Sequence, residues 1–249
     1  MEQHEYQVLY EVEDTYWWYV ARRRLVDEML AKYFAPRKSG VGKTILDIGC
    51  GTGANEGVLA QFGTVMLLDM SLDALRFCRQ RGLLRCMISS AESIGLQSES
   101  VDLVSALDVL EHIDHDIQGM KEVFRVLKPG GTFLITVPAF GFLWSEHDEA
   151  LHHRRRYTHY ELRNKLAVAG FDVVRSTYFI TLLFFPIWAM RFWQGIVKKD
   201  PYPKTSHVIL PKWANRSLEL LLDVERALCR FINLPFGVSI VAIARKPSA

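Results

Sequence analysis

The chain has 249 residues, 49% hydrophobic and 23% charged, an ordinary balance for a folded protein with one α/β domain or a domain plus subdomain. A formal net charge of +2 is too small to argue for a nucleic-acid partner. Four cysteines, Cys50, Cys78, Cys86 and Cys229, form no C-x-x-C pair, so neither a zinc site nor a disulfide framework is suggested. Reduced thiols fit an intracellular, cytoplasmic setting.

The polar, acidic start Met1-Glu2-Gln3-His4-Glu5 is unlike a signal peptide. Residues 5–35 read as one helix, with Leu25, Val26, Met29 and Leu30 on an apolar face, before Pro36 and Gly40 break the pattern. Short apolar runs then alternate with helical stretches. The predicted strands are Thr44–Ile48, Thr64–Leu68, Leu84–Ile88, Val101–Ala106 and Thr132–Val137, with helices near 54–61, 72–81 and 116–127. Continuous apolar strands separated by helices mean a parallel sheet covered on both faces. A helix (Tyr160–Ala169), a strand (Phe171–Tyr178) and, after a long insertion, a last strand (Val238–Ala244) complete the pattern.

The strongest local signal is Asp47-Ile48-Gly49-Cys50-Gly51-Thr52-Gly53, where the first strand turns into the first helix. Glycines let the backbone turn sharply and leave room for a ligand against the chain. The spacing is G-x-G-x-G rather than the G-x-G-x-x-G of dinucleotide sites, with Ala54 at the place of the third glycine. A carboxylate at Asp47 would repel a pyrophosphate and favour an ammonium or sulfonium.

This stretch resembles motif I of the class I S-adenosylmethionine-dependent methyltransferases. The resemblance continues through Val65–Asp69, Ser90-Ala91-Glu92, Val101–His112 and Leu127–Gly131, in the family's order. It implies a cofactor site made by Asp47, Gly49, Cys50, Gly51, Gly53, Asp69, Met70, Ala91, Glu92, Asp108 and Val109. Asp69, 22 residues after Asp47, would hold the ribose hydroxyls. S-adenosyl-L-methionine is then the expected cofactor, S-adenosyl-L-homocysteine the product, and no metal is expected. The expected fold is a doubly wound, Rossmann-like α/β sheet of seven strands, mostly parallel with an antiparallel last strand.

Asp108-Val109-Leu110-Glu111 replaces the Asn/Asp-Pro-Pro-aromatic motif that nucleic-acid amino-methylating enzymes carry. Neither the Pro-Cys of cytosine C5 enzymes nor the Asp-Asn of metal-dependent catechol-type enzymes occurs. A small-molecule or amphiphilic, lipid-linked acceptor remains, with oxygen, nitrogen or carbon as target. A non-catalytic cofactor-binding sensor or assembly partner is the alternative.

For the acceptor side, Phe142–Asp148 and Leu151–Thr158 follow the fifth strand and mix aromatics with histidines and arginines. His112, His147 and His153 are the candidate bases. Trp18, Trp144, Arg154 and Tyr157 are candidate acceptor-binding residues, and Thr158 with Glu161 a plausible capping box. The spacing of His147, Asp148, His152 and His153 matches no standard metal site.

The chain divides into an N-terminal helical lid (1–40), a cofactor-binding core (41–179), a helical cap insertion (180–235) and the last strand (236–249). Tyr178–Met190 is apolar for 13 residues, shorter than the roughly 20 that span a bilayer. The insertion could be a buried helix, a dimer surface, or a peripheral membrane contact through 178–199 with Arg191, Lys198 and Lys199 at the head groups. A second helix, Trp213–Ile232, is expected to join it over the acceptor site.

Overall fold

A computed structural model describes residues 3–35, 42–196 and 210–248; Pro36, Gly40, Lys198 and Lys199 lie outside the described residues. Seven strands form one sheet: β1 (Thr44–Ile48), β2 (Thr64–Asp69), β3 (Cys86–Ile88), β4 (Val101–Leu107), β5 (Leu127–Pro138), β6 (Asp172–Phe179) and β7 (Ser239–Arg245). Their order is β3-β2-β1-β4-β5-β7-β6. All pairs are parallel except those of β7, which runs antiparallel to β5 and β6. The expected doubly wound sheet with an antiparallel last strand is the fold found.

The central strands are apolar along their length because both faces are covered. Ile45, Leu46 and Ile48 of β1, and Leu103, Val104 and Ala106 of β4, are fully buried. The helices are α1 (Gln3–Val12), α2 (Trp17–Tyr33), α3 (Glu56–Leu59), α4 (Leu72–Gln80), α5 (Asp116–Val126), α6 (Glu146–Ala150), α7 (His159–Val168), α8 (Phe184–Ile196) and α9 (Lys212–Cys229). Ser71 caps α4 by accepting Ala74 N–H, and Thr158 caps α7 by accepting Glu161 N–H. β2 and β4 lie on opposite sides of β1, so the chain reverses its winding there. This opens a crevice at the strands' carboxyl ends, where doubly wound folds bind ligands.

The N-terminal segment departs from the single helix expected over 5–35. It is two helices, broken between Val12 and Trp17. The cause lies far away in sequence. Asn215 of α9 accepts Trp17 N–H at 2.9 Å and donates to Thr15 O at 2.9 Å, capping the start of α2. Glu13, buried in the break, pairs with Arg81 at 2.9 Å. The predicted apolar face is right: Leu25, Val26, Met29 and Leu30 are all buried, each contributing roughly 1.5–3 kcal/mol.

The insertion divides its roles. α9 runs along α2, with Arg24 on Glu219 (2.9 Å) and Asp223 (2.8 Å), and Arg226 and Arg230 on Glu28. Its buried Glu225 accepts Thr181 N–H (3.0 Å) and Leu182 N–H (2.9 Å), fixing the approach to α8. The expectation that both helices cover the acceptor site is therefore corrected: α9 braces α2, because its charged face finds its partners there. No helix among the described residues is long and apolar enough to cross a membrane.

Candidate active site

A cavity of about 670 Å³ occupies the crevice, within the range of roughly 300–1,000 Å³ usual for ligand sites. Its floor is the carboxyl edge of the sheet. α1, α2 and the break between them face that floor with Tyr6, Leu9, Glu13, Trp18, Tyr19 and Arg22.

One end is built by the glycine turn and the end of β2. Gly49 and Gly51 have φ of +59° and +56°, and a Cβ on Gly49 would lie 2.6 Å from Val109 Cγ2. Only glycine lets the chain turn here without pushing Val109 aside. Asp69 is 7% exposed; its Oδ2 accepts Gly51 N–H at 3.0 Å and its Oδ1 accepts Ser71 N–H at 2.9 Å. These bonds lock the carboxylate in place beside the turn. Burial raises its pKa above the usual aspartate value, against the opposing pull of these N–H groups. Ser90, Ala91 and Glu92 form the side wall, with Glu92 Oε1 accepting His115 N–H at 3.1 Å.

The middle of the cavity is Asp108, the first residue past β4. It sits at φ +58°, a conformation that side chains other than glycine rarely hold. Thr136 Oγ1 donates to it at 2.8 Å, and the Arg22 guanidinium of α2 closes on its other oxygen. This ion pair ties α2 to the sheet edge. Burial works against the Arg22 charge, but Asp108 outweighs it and holds the guanidinium above its ordinary pKa.

The other end carries Glu111, His112, His147, His153, Arg154, Arg156 and Arg191. The His112 and His153 rings lie 4.7 Å apart at 82°, and His147 lies 6.3 Å from His153. Burial, helped by neighbouring His153, pushes His112 down to about 3, so it is a poor proton acceptor. His153 Nδ1 is 2.8 Å from Asp148 Oδ1. Asp148 is fully buried and gripped twice by Arg156, at 2.8 and 2.9 Å. Arg191 is lowered to about 10 by burial and by Arg156, with Asp148 opposing from 4.0 Å. It is a strongly desolvated cation on the cavity wall.

The cavity gathers nearly all the predicted site residues: Gly49, Cys50, Gly51, Asp69, Met70, Ala91, Glu92, Asp108, Val109, His112, His147, His153, Trp18 and Arg154. Four expectations are corrected. Asp47 lies behind the turn, 1% exposed, accepting the Ser105 hydroxyl at 2.6 Å. Gly53 packs instead of lining, since a Cβ there would lie 2.7 Å from Leu83 Cδ1. Trp144 does not line the cavity. Tyr157 is fully buried, its hydroxyl 2.8 Å from Asp116 Oδ2 and 3.1 Å from Leu110 O. It is a tether for the loop rather than a contact for an acceptor.

Sequence reasoning left Glu111 and Arg191 out of the site, while Tyr19 and Arg22 stood in the aromatic and arginine cluster of the N-terminal lid. Glu111 stood inside a quoted motif, but nothing in its spacing told it from a surface acid. Arg191 ends the apolar run, and only one of the three readings of that run gave it a role, at lipid head groups. In the fold it turns inward and donates to Leu143 O.

Asp116 anchors this loop through Tyr157, Lys165 (2.6 Å) and Arg155 (3.2 Å). Burial opposes its charge, but hydrogen bonds from Lys165 and Tyr157 prevail and hold its carboxyl below the ordinary 3.8. A carboxylate depressed in the folded state stabilises above its unfolded pKa and loses that contribution as pH falls. Asp116→Asn should cost about 1–3 kcal/mol at pH 7 and flatten the loss of stability below pH ~4. Urea unfolding of both proteins across pH 3–7 checks this; parallel curves would refute it.

A seven-stranded sheet of this order, with a glycine turn after β1 and a buried acid ending β2, matches the Rossmann-like fold of the class I S-adenosylmethionine-dependent methyltransferases. Residues 46–135 match the methyltransferase domain of the type-11 family. A probable S-adenosylmethionine-dependent methyltransferase of Mycolicibacterium smegmatis is 31% identical over 165 residues, 65% of this chain and 61% of that protein. A ubiquinone biosynthesis O-methyltransferase of Haemophilus ducreyi is 26% identical over 126 residues, 45% of this chain and 53% of that one. The chain thus spans less than two thirds of these curated relatives. Among solved structures, an S-adenosylmethionine-dependent methyltransferase of Mesorhizobium loti superposes with TM-score 0.59 at 17% identity, covering 94% of this chain and 99% of that chain. The [4+2]-cyclase SpnF superposes with TM-score 0.59 at 20% identity, covering 93% and 84%. At these identities the structures speak for the fold alone.

Proposed function

We propose that this protein moves a methyl group from S-adenosylmethionine to an amphiphilic small-molecule or lipid-linked acceptor that carries an anionic group. The observation that carries this reading is the single cavity joining the two ends just described. The glycine turn and Asp69 suit the cofactor: Gly51 presents bare backbone to the cavity, its nearest neighbour Leu9 Cδ2 lying 3.7 Å from where a Cβ would be. When bound, the cofactor supplies an electrophilic methyl on a sulfonium, and S-adenosylhomocysteine leaves.

The chain's own residues position, desolvate and handle the proton. α2 shields the crevice, and the faces of Trp18 and Tyr19 suit a sulfonium. Arg191 and Arg154 are the cations we assign to the acceptor's anionic group. Arg155 and Arg156 are held by the buried Asp116 and Asp148, whereas the partner of Arg154, Asp114, is exposed to solvent. Among the three histidines, His112 is too weak a base. We assign proton removal to His147, with His153 as the alternative through the Nε2 that its contact with Asp148 leaves available.

The exposed face of α8 supports an apolar acceptor tail. Phe185, Trp188, Phe192 and Trp193 are 63, 42, 60 and 68% exposed, although Arg191 on the same helix faces the cavity. Such a face suits a peripheral membrane contact from which a lipid-linked acceptor could enter.

The test is transfer of labelled methyl to a panel of acceptors that includes membrane-lipid extracts. Label should appear in an anionic, organic-extractable product. His147→Ala should lower turnover by about 10²–10⁴-fold while S-adenosylhomocysteine affinity changes less than about twofold. Cofactor binding without transfer to any acceptor would favour the non-catalytic binding protein instead.

A further inference from the structure

Glu111 sits in the 3-10 turn Leu110–His112 after β4 and is 0% exposed. Neither carboxylate oxygen has a hydrogen-bond partner among the described residues. A buried carboxylate left unpaired is costly, by several kcal/mol if it stays charged. The two nearby cations are already engaged, Arg22 with Asp108 and Arg156 with Asp148. Protonation would remove the charge but leave a buried hydroxyl still without an acceptor.

Two imidazoles stand beside this carboxylate. Glu111, His112 and His153 each offer one donor atom, and the three atoms lie within 4.8 Å of one another. His153 is prepared for coordination. Asp148, bound to Arg156, holds its Nδ1 at 2.8 Å, so Nε2 is the nitrogen left with a lone pair. A carboxylate behind a histidine is the arrangement that fixes the tautomer and orientation of metal-bound imidazoles.

We propose that Glu111, His112 and His153 form a binding site for one transition-metal dication, with Asp148 as the residue that positions His153. Two imidazoles and one carboxylate suit zinc, and iron or cobalt of the same charge, rather than magnesium or calcium, which prefer all-oxygen sets. Three protein ligands leave at least one position open, and the cavity lies on that side because all three residues line it. An acceptor's lone pair could fill that position. The sequence did not suggest the site: its one metal-like run, His147 to His153, shares only His153 with the trio.

The inference deepens the acceptor end of the proposed reading, but binding is measurable without any methyl transfer. Chelator-treated, full-length protein is titrated with Zn²⁺ by calorimetry and with Co²⁺ by visible absorption, which reports nitrogen–oxygen coordination directly. One dication per chain is expected. Glu111→Gln, His112→Ala and His153→Ala should each weaken binding at least ~100-fold, and Asp148→Asn by about 10–100-fold. S-adenosylhomocysteine binding, located at the far end of the cavity, serves as the check that each variant is folded. Stoichiometric metal binding with no methyl transfer would sink the proposed function and leave the site standing. Absent binding in the wild-type protein, or binding equally tight in two folded variants of the trio, overturns the site and leaves methyl transfer untouched.

Discussion

Asp69→Ala should weaken S-adenosylmethionine and S-adenosylhomocysteine binding at least ~100-fold. In the proposed reading this carboxylate accepts both ribose hydroxyls, and hydrogen bonds to a charged group contribute about 1.5–3 kcal/mol each. Losing two corresponds to roughly 10²–10⁴ in affinity. The site is preorganised for this. Gly51 N–H and Ser71 N–H hold the two oxygens before any ligand arrives, so little ordering is left to binding. The substitution also frees Gly51 N–H, which loosens the turn at the same time. Asp69→Asn, retaining shape and acceptor capacity on one oxygen, should fall between the two. Calorimetric titration of the three proteins is the measurement. An unchanged dissociation constant in the alanine variant would remove the ribose assignment.

Asp148→Ala should be among the most destabilising single substitutions, at about 3–5 kcal/mol. The carboxylate is 0% exposed and holds Arg156 by two hydrogen bonds, His153 by one, and Ser145 N–H at 2.9 Å. Arg156 itself is 7% exposed and donates onward to Ala139 O at 3.0 Å at the end of β5. Removing Asp148 strands this guanidinium, and Arg191, 4.0 Å from the same carboxylate, is of the same sign. For a chain of this size the cost corresponds to roughly 6–20 °C in melting temperature. Replacing both partners together, as Asp148→Leu with Arg156→Met, should recover much of the loss, since an apolar pair needs no counter-charge. A drop of less than about 1 kcal/mol for the single variant would mean that water reaches Arg156, contrary to its burial here.

How much of this was legible in the sequence follows from where each interaction's partners lie. The strands, the turn between Gly49 and Gly53, and the acid ending β2 depend on local periodicity and on backbone conformations that glycine allows. Those are written within a few residues, so the sheet, its winding and the glycine turn at one end of the cavity could be read directly. Strand ends were less exact. β5 begins at Leu127 rather than Thr132 because Leu127 pairs with Val101 across the sheet.

The acceptor end was legible only as a list of residue types. Tyr157 and Arg154 sit three apart in one arginine-rich run, yet one is a fully buried tether and the other reaches the cavity. The difference is set by Asp116, on another element. Glu111 gains its meaning from His153, which the chain brings back after β5, and Arg191 from the bend of α8 toward Leu143. The break in the N-terminal helix depends on Asn215, about two hundred residues later in the chain. Periodicity and backbone preference are short-range, so the sequence alone determined the sheet and its glycine turn. Burial and charge pairing join residues far apart in the chain, so only the tertiary structure decided which polar side chains face the cavity and which hold its walls.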